Sequence, residues 1–117
     1  IDLSSGIYME LNTEVDYCLC NEDGLIYAYF YDENQDYCFS VSRFENDEEI
    51  EIMVHDQINT IVSQLDITLH SGYMEANIPK IIAGELDGNL NYKIFFELNK
   101  KQWKELDNVL SEILMKK

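Results

Sequence analysis

At 117 residues the chain has the length of one domain, and its 46% hydrophobic content, with eight Tyr, five Phe and one Trp, excludes a disordered polyelectrolyte in spite of a net charge of -15. Charge of that sign repels nucleic-acid phosphates and anionic lipid headgroups, so neither nucleic acid nor membrane is expected as a partner, whereas a basic protein is the natural complement. No apolar run approaches the roughly 20 residues of a membrane span, and no signal-like segment is present.

Seventeen of the 23 acids and a single base, Arg43, fall in residues 1–79, while residues 80–117 hold six acids and seven bases. The acidity therefore belongs to the N-terminal two-thirds. Cys18, Cys20 and Cys38 are too few and too odd in number for a secreted disulfide scaffold, which makes the cytoplasm the expected location. Because the chain starts at Ile1 rather than Met, trimming ahead of it is expected.

Taken in chain order, Ile7, Met9 and Leu11 alternate with Tyr8 and Glu10, and Val15, Tyr17 and Leu19 alternate with Asp16, Cys18 and Cys20, which predicts two short strands. Asn21-Glu22-Asp23-Gly24 follows as a turn, its Gly supplying positive φ. Residues 25–31 are apolar on both faces, with Leu25, Tyr27, Tyr29 and Tyr31 on one and Ile26, Ala28 and Phe30 on the other, the pattern of an interior strand. A polar turn over 32–36 leads to a hairpin partner over 37–44, and a second acidic turn over 45–49 leads to a strand in which Ile50, Ile52 and Val54 alternate with Glu51, Met53 and His55. Shorter strands are expected over 60–63 and 65–69. Residues 71–89, with Gly72, Pro79, Gly84 and Gly88, read as the least regular stretch, holding at most a short helical turn.

Tyr92, Ile94, Phe96 and Leu98 mark the last strand, and then the period changes. Asn99 is a good N-cap with Gln102 three residues on, Trp103, Leu106, Val109, Leu110, Ile113 and Leu114 recur at helical spacing, and Lys116 and Lys117 suit the negative end of the helix dipole. The expected fold is α+β: residues 1–117 as a single acidic domain with a mainly antiparallel sheet of five to seven strands and one C-terminal amphipathic helix packed on one face.

Chemistry-bearing patterns are sparse. Asp32, Asn34 and Asp36 begin like a calcium loop, but Tyr37 stands where a Gly is needed and Arg43 where a bidentate Glu belongs. Cys18, Cys20 and Cys38 lack a fourth zinc ligand, since neither His55 nor His70 has the spacing to supply it. There is no GxSxG elbow, P-loop or dinucleotide fingerprint. Neither enzyme activity, nor a metal, nor a cofactor is expected.

The stronger pattern is tyrosine beside carboxylate. Tyr27, Tyr29 and Tyr31 share a strand face and precede Asp32, Glu33 and Asp36, with Asp47, Glu48, Glu49 and Glu51 following after the next strand. Tyr offers large contact area at low entropic cost, so these ten residues are the expected partner-binding set, against the alternative that the three rings cover the core beneath the helix.

From about residue 50 to 114 the chain resembles a family of bacterial immunity proteins that neutralise polymorphic toxins. The resemblance lies in a strand ending in His55-Asp56-Gln57 with Asn59 just after, the alternating strand over 65–69, a Gly-containing loop, the strand over 92–98 and a closing helix with Trp103, Leu106 and Leu110. It covers a little over half the chain. It implies a cytoplasmic protein that binds and occludes a cognate toxin, and the charge makes that toxin a basic one. An acidic adaptor or secretion chaperone for a basic effector is the alternative, and a small ligand-binding domain or enzyme using a sheet-helix cleft is the second.

Overall fold

Period-two alternation builds the strands of the computed structural model, which describes residues 8–115. In chain order these are β1 (Tyr8–Asn12), β2 (Glu14–Cys18), β3 (Leu25–Asp32), β4 (Tyr37–Phe44), β5 (Ile50–His55), β6 (Ile58–Val62), β7 (Asp66–Leu69) and β8 (Tyr73–Asn77), then helix α1 (Lys80–Glu85), β9 (Asn91–Phe95) and helix α2 (Lys100–Ile113). Ile7, Lys116 and Lys117, which carried parts of the sequence-based expectation, lie outside the described residues. The architecture is α+β, with two mainly antiparallel sheets and a C-terminal helix.

One sheet has the order β2-β3-β4-β5-β6 and is antiparallel throughout; the other has the order β1-β9-β8-β7, with β1 and β9 parallel. The chain passes between them at Thr13, whose N–H and hydroxyl both donate to the Phe95 carbonyl, at 2.8 and 3.0 Å. Gly24 takes φ 80° in the β2–β3 turn, a conformation costly for any residue with a Cβ, and here the added atom would also crowd the Glu45 side chain.

Ile26, Ala28 and Phe30 of β3, Phe39 and Val41 of β4, and Ile52 and Val54 of β5 form the inner face of the five-stranded sheet, each 3% exposed or less. Part of that face meets β9 and the residue after it: Phe39 lies 4.9 Å from the Tyr92 ring, between centroids, and Phe30 lies against Phe96 just past the strand. α2 covers another part through Leu106, Val109, Leu110 and Ile113, and Trp103 packs at the margin of the same core. Burial of that helical stripe provides most of the reason for α2 to form, with the Asn99–Gln102 capping box closing its N-terminus.

The strands of the described residues number nine, shared between two sheets rather than forming one sheet of five to seven, and residues 73–77 supply one that the sequence did not suggest. Flanked by Gly72 and Pro79, Tyr73–Asn77 reads as loop in isolation, yet it pairs with β7 on one side and β9 on the other and buries Met74 and Ala76 completely. Tertiary pairing outweighs weak local propensity there. Two boundaries also move: β2 ends at Cys18 and β9 at Phe95, short of Cys20 and Leu98.

Candidate functional site

Every second residue of the five-stranded sheet points away from the core, and neither α2 nor the second sheet lies over that outer side. Strand register arranges it in rows. Glu14, Tyr31 and Cys38 form one; Asp16, Tyr29, Ser40, Met53 and Asn59 the next; Cys18, Tyr27, Ser42, Glu51 and Ile61 the third. Tyr27, Tyr29 and Tyr31 are half-buried rather than interior, so they line this outer face and do not cover the core beneath α2.

Carboxylates bind two of the three hydroxyls. Tyr31 donates to Asp36 at 2.7 Å, Tyr27 to Asp16 at 3.3 Å, and the Tyr29 and Tyr31 rings stack with centroids 6.5 Å apart and planes 13° apart. The Tyr31 hydroxyl is pushed up to about 12, first by that bond to Asp36 and then by desolvation and the Asp36 charge. Tyr27 and Tyr29 are also raised, by burial first and then by Asp16 and Cys38 respectively. All three stay protonated at neutral pH. The face therefore offers π-surface beside anionic oxygen, which suits an ammonium or guanidinium group.

The two acidic turns lie at opposite ends of β4, which at about 3.3 Å per residue separates them by on the order of 25 Å, so they do not merge into one patch. Glu33 and Asp36 are exposed at one end. Asp47, Glu48 and Glu49 are exposed at the other, where Glu45 N–H donates to the Gly24 carbonyl and brings the acids of the β2–β3 turn alongside. Asp32 leaves the contact set: it is 1% exposed and its carboxylate accepts from Asn12 N–H at 2.9 Å, Gln35 N–H at 3.1 Å and the Gln35 amide at 2.8 Å. Glu51 lies on the outer face beside Ser42 and accepts from Asn59 at 3.3 Å.

Arg43 is buried at 7% exposure. It donates to the Ile113 and Glu112 carbonyls at the end of α2 and to the Phe44, Glu45 and Asp47 carbonyls of the adjacent turn. With Arg43 inside, residues 8–79 expose no Lys or Arg, and the outer face is more uniformly acidic than its sequence suggests.

His55, Asp56, Gln57 and Asn59 of the family-like motif form the β5–β6 hairpin. His55 and Gln57 adopt φ 56° and 65°, Asp56 is exposed between them, and the His55 ring lies against Tyr37 at 5.3 Å. The cysteines do not converge: Cys20 is exposed beyond β2, while Cys18 and Cys38 occupy different rows. Burial pushes the Cys38 thiol up, and a hydrogen bond to Glu45 raises that of Cys20. Among the described residues no group of three or more His, Cys, Asp or Glu is arranged to hold a metal ion.

Sequence reasoning missed one polar cluster. Tyr37 and Tyr92 both donate to Asp87, Tyr92 at 2.9 Å, with the two hydroxyls 2.7 Å apart and Asn89 adding a further bond at 3.3 Å. Burial first, and then the Asp87 carboxylate, raise both phenols far above their ordinary value, so they act as donors anchoring the α1–β9 connection to both sheets. Nothing in the spacing of Tyr37, Asp87 and Tyr92 signals this.

Two clefts flank the β9–α2 connection. The larger, about 850 Å³, opens beside Tyr31 and is lined among others by Glu14, Glu33, Glu97, Val15 and Phe95. The smaller, about 390 Å³, lies between the β7–β8 turn and the start of α2. Among the described residues no helix is long and apolar enough to cross a membrane.

No family model, no curated protein and no solved structure matches this chain.

Proposed function

We propose that this chain is a bacterial immunity protein, which neutralises a basic toxin domain by docking on it through the outer face of the five-stranded sheet and occluding its active site. The observation that carries the reading is the uncovered tyrosine row, Tyr27, Tyr29 and Tyr31, set among Glu14, Asp16, Asp36 and Glu51 on a surface with no exposed Lys or Arg before Lys80. A sheet face with large rings is normally covered. Here two of the three rings, Tyr27 and Tyr31, are bonded to carboxylates, and cation–π contact with desolvated ion pairing suits arginine and lysine on a partner. A nuclease is the natural target, because a cleft built for a polyanion is itself cationic.

The test pairs capture with rescue. Wild-type chain and a Tyr29→Lys/Tyr31→Lys variant, both checked for fold by circular dichroism, are used to capture proteins from the native host. The captured protein is then expressed alone and with each version. The reading requires a basic protein that arrests growth when alone, relief by the wild type, and loss of most of that relief in the double variant. A captured protein that is harmless points instead to an adaptor role, and one that is acidic, or relieved equally by both versions, removes this face from the mechanism.

A further inference from the structure

An apolar groove with lysines in its lining adjoins the cleft beside Tyr31, sharing Gly72, Phe96 and Leu98 with it. Phe96, Leu98 and Trp103 form its walls, Ser71 and Gly72 of the β7–β8 turn one lip, and Lys100 and Lys104, one helical turn apart on α2, the other. Its walls are fixed. The Trp103 indole N–H donates to the His70 carbonyl at 2.9 Å, Phe96 N–H donates to the Gly72 carbonyl at 3.1 Å, and Gly72 takes φ 85° to turn the chain back.

The lysines give the groove its charge, and like the other described lysines they have no carboxylate within ion-pair distance. In a chain with 23 acids and eight bases, a lysine has many carboxylates available, yet among the described residues the single basic-to-acidic contact within ion-pair distance is that of the His70 imidazole with Glu75, at 3.5 Å. Lys100 and Lys104 have no carboxylate partner and stand beside apolar walls instead. The α2 terminus is not the anion's seat, since Asn99 already accepts from the Gln102 N–H at 2.8 Å.

We infer that this groove binds a small amphipathic monoanion, a carboxylic acid with an aliphatic or aryl body, its chain against Phe96, Leu98 and Trp103 and its carboxylate between the ammonium groups of Lys100 and Lys104. A volume of about 390 Å³ falls in the range of small-molecule sites, and apolar walls with two lysines in the lining are what such a ligand requires. The inference is independent of the tyrosine face and stands whether or not that face docks a toxin.

Trp103 is the only tryptophan of the chain, so its fluorescence reports from the groove wall. The experiment titrates octanoate, with octanol as the uncharged control, into the wild type, a Lys100→Gln/Lys104→Gln variant and a Ser71→Glu variant. Octanoate is expected to change Trp103 emission saturably in the wild type. The double variant should bind it about five- to thirtyfold more weakly, two exposed charge contacts together having that effect. Ser71→Glu, which puts a carboxylate on the opposite lip without touching the lysines, should weaken octanoate in the same sense. Octanol should titrate alike in all three. No saturable response, equal affinity for octanoate and octanol, or octanoate binding unchanged in both variants overturns the inference.

Discussion

Asp32 and Arg43 are the two buried charged side chains among the described residues, and neither is met by an opposite charge: Arg43 donates to backbone carbonyls, and Asp32 accepts from backbone N–H groups and the Gln35 amide. Desolvation alone would raise the Asp32 carboxyl, but hydrogen bonds from Asn12, Gln35 and Asn34 together outweigh it and hold the group below its ordinary value. A carboxyl depressed in the folded state adds stability above its unfolded value of about 3.9, and that stability is lost as pH falls through the lower folded value. Wild type should therefore weaken below about pH 4 in urea titrations. Asp32→Asn should be less stable at neutral pH by about 1–3 kcal/mol, the cost of an impaired buried hydrogen-bond set, and should show a shallower acid limb. An unchanged acid limb in the variant would mean that Asp32 is not the group responsible. For Arg43, the planar fork reaches the carbonyls of both the α2 terminus and the β4–β5 turn, a span that one ammonium cannot cover. Arg43→Met should cost about 3 kcal/mol by urea midpoint, with Arg43→Lys between it and the wild type. Neither burial is legible in the sequence, because period alone does not distinguish an exposed turn acid from one folded back onto its own N–H groups.

Among the elements, those with a strong period were readable and those defined by their neighbours were not. β3, β4 and β5 alternate clearly, and α2 carries both a cap and a complete apolar stripe. β8 has only five residues, two glycine or proline punctuators nearby and a polar central Glu75, so its strand state exists because β7 and β9 need a partner between them. Of the candidate site, the tyrosine row and its acids were visible as alternation; that the helix would cover the other face was not, because both faces of β3 are apolar. The α2 cap gives a prediction at this scale. Asn99→Ala removes the acceptor for Gln102 N–H, and should cost about 1 kcal/mol in denaturant unfolding. Gln102→Ala, which leaves that bond intact and frees only the Asn99 N–H, should cost less. Equal or absent losses would show that core burial alone holds the first turn.

At the scale of the whole molecule, the folded chain concentrates net charge of one sign with almost no internal compensation. Arg43 is inside, the acidic turns occupy both ends of the five-stranded sheet, and no Lys or Arg lies within ion-pair distance of a carboxylate among the described residues. Self-repulsion should then oppose folding, and salt should relieve it. The Debye length falls from about 30 Å at 0.01 M to about 8 Å at physiological ionic strength, shorter than the on the order of 25 Å between the two turns but longer than the spacing within one. Added sodium chloride should accordingly raise the wild-type melting temperature, with most of the gain below about 0.15 M. Replacing Glu33, Asp36, Asp47, Glu48 and Glu49 by Gln or Asn should raise the melting temperature at low salt and reduce its dependence on salt, while Asp32 is left untouched because it holds the turn together. The sign is what matters: if charge on these turns made favourable contacts within the molecule, the fivefold variant would melt lower and salt would destabilise the wild type. Thermal unfolding of the two proteins at 0.01 and 0.3 M sodium chloride separates the cases, and a flat response in both would mean that the turns are already screened by solvent.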